Sequence, residues 1–131
     1  MTLKPTALAA MALASVMASP ASAHHSGAMF DREKMVTLTG TLREYQFANP
    51  HSWILVDVPD AAGGKSVVWS VEAPSPWVMT QAGITPSKLK PGDKITVTAH
   101  PLRDGRAGAG FVSVTLANGQ VLKRAPPSKL E

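Results

Sequence analysis

The sequence predicts an all-β domain: a small OB-like Greek-key barrel of five or six strands, with one short helix after the third strand. Three observations predict it. Apolar and polar residues alternate with a period of two through most of the chain. Turn signals separate these runs at short intervals. The one helix start, Ser75-Pro76, falls between the third and fourth strand runs, where an OB-type barrel carries its helix. A small β-sandwich is the competing arrangement.

Taken in order, Val36, Leu38, Gly40 and Leu42 alternate with Thr37, Thr39, Thr41 and Arg43, which gives the first strand one buried face. The parity then slips, because Tyr45 and Phe47 continue the apolar set on odd positions. A bulge near Arg43-Glu44 accounts for the slip and bends the strand. Asn49-Pro50 ends it. Residues 52–58, rich in β-branched and aromatic side chains, form the second strand, and residues 60–64 turn the chain. Val67, Trp69 and Val71 mark the third strand. In the helix, Ser75 suits the N-cap, Pro76 the first position and Gly83 the stop, with Trp77, Val78 and Met79 supplying apolar contact. Pro91-Gly92-Asp93 turns into a fourth strand carrying Ile95, Val97 and Ala99. Residues 105–110 read as a glycine-rich loop before a fifth strand of Val112, Val114 and Leu116. Asn118-Gly119 is a strong hairpin signal, after which Val121 and Leu122 form a short closing strand.

Residues 1–23 read as a cleavable secretory signal: Lys4, an apolar run over 7–18 and a small-residue end, Ala21-Ser22-Ala23. Twelve apolar residues fall short of the ~20 that span a bilayer. The expectation is a periplasmic, monomeric protein without a membrane anchor after cleavage. Its barrel domain covers 24–123 and a flexible tail covers 124–131. The chain has no cysteine, which excludes disulfides, thiolate metal sites, cysteine nucleophiles and a lipid-modified lipoprotein start. The 108 residues after the signal are enough for one core without staples. They carry twelve Lys/Arg against nine Asp/Glu, scattered without aromatic interleaving, so no nucleic-acid footprint is expected.

Cleavage after Ala23 makes His24 and His25 the first two residues of the exported chain. An N-terminal histidine offers its α-amine and its ring Nδ1 to one metal, and a second imidazole completes a T of three nitrogens that suits Cu(II). Cleavage after Ala21 instead places His24 third, where amine, backbone amides and imidazole wrap Cu(II) or Ni(II) in a square plane. The other reading is a polar terminus that needs no metal. His51, in Asn49-Pro50-His51, is either a third ligand or a turn residue, and His100 reads as a solvated strand end. Asp31 or Glu72 can orient a ligating histidine by accepting its second ring hydrogen, although Glu72 equally suits the start of the helix. Trp53, Trp69 and Trp77 are core residues or a stacking platform, and Met29, Met35 and Met79 read as filling. No Ser/His/acid arrangement, carboxylate pair or phosphate loop is found, so no catalytic residue is named.

Several segments together resemble a known group, the domain-of-unknown-function family 6152 of small exported bacterial proteins. They are His24-His25-Ser26, Phe30-Asp31, Val36-Thr37-Leu38-Thr39-Gly40, Asn49-Pro50-His51, Trp69 with Glu72, Gly83, and Leu89-Lys90-Pro91-Gly92-Asp93. Phe47 departs from the pattern, which has Trp there. The resemblance implies export and one compact domain, and supplies no catalytic role. The residues then point to an accessory protein binding copper through His24, His25 and His51. The alternative is a metal-free module using a face around Tyr45, Trp53 and Trp69, with Asp31, Asn49 and Glu72 nearby, for a protein or oligosaccharide partner.

Overall fold

The computed structural model describes residues 27–124. Six strands are formed: β1 (Val36–Gln46), β2 (Ser52–Val58), β3 (Val67–Ala73), β4 (Lys94–Pro101), β5 (Gly108–Thr115) and β6 (Val121–Lys123). The helix α1 (Pro76–Gln81) lies between β3 and β4, as the Ser75-Pro76 signal predicts. The strand order is β3-β2-β1-β4-β5-β6, and a parallel pairing of β3 with β5 closes the first five strands into a barrel.

β1 serves two partners. Its first half pairs with β4, from Val36 opposite Ala99 to Thr41 opposite Lys94. Its second half pairs with β2, from Thr41 opposite Asp57 to Gln46 opposite Trp53. The changeover falls at Thr41; at Gly40, just before it, an added Cβ would run into the Asp57 carbonyl, so only glycine lets the two backbones approach. The β1–β2 register skips Arg43, matching Leu42 to Val56 and Glu44 to Leu55. This bulge stands where the parity slip predicts it and turns Tyr45 and Phe47 toward the core.

Leu38, Leu42, Ile54, Val56, Val71, Val97 and Val114 fill the barrel, and Met79, Ile84 and Leu89 close one end. Two expectations need correction. Trp77 does not supply helix contact: it is 72% exposed, while Met79 is fully buried. Residues 105–110 are not all loop, because β5 begins at Gly108: residues 108–110 pair with β3, and Ala109 and Gly110 pair with β4 as well. Barrel closure therefore belongs to β5, and β6 adds an edge strand through Val114 opposite Leu122. No helix among the described residues is long and apolar enough to cross a membrane.

Candidate functional site

Residues 27–31 are bound to the barrel by backbone geometry. A 3-10 turn, Gly27–Met29, leads into Phe30, which bridges to Leu102. The Asp31 amide donates to the Pro101 carbonyl at 2.8 Å, and the Arg103 amide to the Met29 carbonyl at 3.0 Å. Arg103 also donates through Nε to the Ala28 carbonyl at 3.1 Å. The Asp31 carboxylate takes Lys34 Nζ at 3.2 Å and Arg103 Nη1 at 3.8 Å. The Lys34 hydrogen bond above all, with the Glu33 amide and the Arg103 charge, holds its carboxyl below the usual range. Asp31 thus fastens the segment to its own neighbours.

The Phe30 ring covers Gly110 of β5, where a Cβ would stand 3.0 Å from its Cδ2. Gly110 pairs with Glu72 on one side and His100 on the other, so all three positions open onto the same face of the sheet. Gly27, Phe30, His51, Glu72, His100 and Phe111 contribute to one open cleft of ≈ 830 Å³.

Within it, His51 Nδ1 lies 3.4 Å from Glu72 Oε1, with both side chains mostly buried. A carboxylate beside Nδ1 fixes the ring and directs Nε2 as the coordinating atom, as in metal sites whose histidines are oriented by an acid. His100 Nδ1 sits 2.7 Å from the Lys34 carbonyl. A carbonyl only accepts, so Nδ1 carries the hydrogen. His100 is therefore a half-buried residue tied to the loop before β1, not the solvated strand end that its position predicts. Among the described residues no three His, Asp or Glu side chains stand close enough to hold a metal. His24 and His25 lie outside the described residues, as do the predicted signal over 1–23 and residues 125–131 of the tail.

Asn49 is exposed and joined to Pro50 by a cis peptide in the β1–β2 connection. The aromatic face divides. Trp53 pairs with Glu72 on the outer surface, whereas Trp69 and Tyr45 pack against the core. Tyr45 donates to the Ile84 carbonyl at 2.9 Å, and its ring meets Phe47 edge-on at 5.5 Å. Burial pushes its phenol up to about 12, against a small opposing effect of the Ser52 hydroxyl. Met29 and Met35 are exposed and Met79 is buried, so these three methionines form no cluster. Sequence reasoning missed the seat of Phe30 on Gly110. Its one sequence signal is the Gly108-Ala109-Gly110 spacing, with both glycines on one side of a strand.

The fold is shared with a solved structure, the mitochondrial single-stranded DNA binding protein Rim1 from S. cerevisiae. The similarity has a TM-score of 0.50 at 10% sequence identity, and covers 70% of this chain and 96% of that one. No curated protein matches the chain. A family model does match, over residues 11–111. The chain thus belongs to the family of unknown function DUF6152.

Proposed function

We propose that the chain is an exported periplasmic accessory protein, without catalytic activity of its own, that holds one copper ion at the mouth of this cleft. In this reading the signal is removed after Ala23. His24 then chelates through its amine and ring Nδ1, His25 stands beside it, and His51 supplies a further imidazole. The observation that carries the reading is that residues 27–31 are bound along β4 and β5 so that Gly27 and His51 border one cleft. Three residues of extended chain reach about 10 Å, so the reading requires Gly27 and His51 to stand within about that distance of each other. Glu72 adds the oriented imidazole that copper coordination prefers.

The test is Cu(II) affinity, by competition with a chelator, of the protein beginning at His24. His51→Ala weakens binding by about 10-fold or more, and Glu72→Gln by about 10-fold, the usual effect of losing a ligand's supporting carboxylate. His100→Ala is expected to change affinity much less, within about threefold; a loss as large as that of His51→Ala would make His100 the further ligand instead. Equal affinity in wild type and His51→Ala would reduce the binding to that of any free histidine terminus. The metal-free binding module would then replace this reading.

A further inference from the structure

The described residues include five arginines, and they divide into two groups. Arg43 pairs with Asp57 at 3.0 Å, Arg103 with Asp31 at 3.8 Å and Arg106 with Asp104 at 2.8 Å. Arg32 and Arg124 have no ion pair or side-chain hydrogen bond among the described residues, and these two border the cleft. Arg32 lies directly over the Gly27 backbone, on the wall that the docked segment builds. Arg124 follows β6, and extending the register of Lys123 opposite Ser113 brings it to Val112 of β5. The same wall carries an apolar set, Phe30, Val78, Phe111 and Val112, beside the polar His51, Ser75 and His100. Glu72 is the one carboxylate on the wall among the described residues, and it stands against His51.

We infer that the cleft binds an amphipathic organic anion: an apolar body against Phe30, Val78, Phe111 and Val112, and a carboxylate or phosphate head between Arg32 and Arg124. Planar guanidinium groups match both heads with paired N–H donors. The cleft has the size of small-molecule sites, which run from about 300 to 1,000 Å³. Elsewhere an aspartate answers each guanidinium, and at the cleft a ligand's charge does. The inference uses neither copper nor the histidines, so it stands or falls separately from the metal reading.

The experiment uses metal-free protein beginning at His24 and three ten-carbon probes: decanoate, decyl phosphate and decanol. Binding is followed by amide chemical shifts. Decanoate, decyl phosphate or both shift Phe30, Val78, Phe111 and Val112 at concentrations where decanol does not. The double variant Arg32→Gln/Arg124→Gln weakens that binding by about 10-fold or more, as the loss of charge-assisted hydrogen bonds requires, while Arg106→Gln leaves it within about twofold. Retained circular dichroism of the double variant separates lost binding from lost fold. Silence of both anions, equal binding of decanol, or unchanged affinity in the double variant would each overturn the inference.

Discussion

At Gly110 the absence of a side chain is what the surrounding structure uses. Phe30 packs 3.0 Å from where a Cβ would stand, tighter than an ordinary contact, and Phe30 helps to hold residues 27–31 on the barrel. Gly110→Val forces the ring away and is expected to destabilise by about 1–3 kcal/mol in thermal unfolding, the usual cost of overpacking. Phe30→Ala in the same chain should recover part of that loss, which an effect confined to the β5 backbone would not permit. Tyr45 makes a pH prediction. Its phenol is held near 12 by burial, against an ordinary value of 10. Between these values the unfolded chain releases the proton and the native state keeps it. The contribution is therefore fully present below pH 10 and is lost as pH rises toward 12. Phenolate absorbance of the native protein should stay flat past pH 10, then rise together with unfolding. Removing the hydroxyl in Tyr45→Phe leaves the Ile84 carbonyl without this donor and is expected to cost about 1 kcal/mol.

Elements were legible where period and punctuation agreed. The slip at Arg43-Glu44 marked a bulge because one extra residue inverts which side chains face inward, and Tyr45 and Phe47 recorded that inversion. The start of β5 was hidden for the opposite reason. Gly108 and Gly110 read as a loop, yet they are strand residues lying beneath Leu102 and Phe30. The facing side chains come from distant parts of the chain, so local sequence cannot announce them. The helix shows a third limit. Pro76 and Ser75 located it, but six residues make fewer than two turns, too few for a period to tell Trp77 from Met79. The resulting contrast is measurable by denaturant unfolding. Met79→Ala should cost about 2–5 kcal/mol as a fully buried deletion, whereas Trp77→Ala should stay within about 0.5 kcal/mol.

For the whole molecule, barrel closure depends on three residue pairs, Ser70–Gly108, Val71–Ala109 and Glu72–Gly110, and the candidate site lies across that seam. The histidines of the site were legible as residues. Their association was not, because Glu72 reaches His51 only through the register of β2 with β3. The proposed export and cleavage after Ala23 are checked by intact mass of protein recovered from the periplasm. The expected species begins at His24; one beginning at Ser22 would exchange the two-nitrogen chelate for the square-planar one.

Gly27, at the start of the segment that leads into the barrel, and Arg124, just after β6, border the same cleft. The barrel thus brings its two ends to one place, which is the arrangement circular permutation needs. A chain whose ends are joined by a short flexible linker across the cleft, and opened instead in the exposed turn at residues 60–64, should retain the strand order. It would have no α-amine beside His24. Such a permutant separates the architecture from the chemistry: an intact barrel that has lost copper would assign the metal to the free terminus, and an intact barrel that still holds copper would assign it to side chains alone.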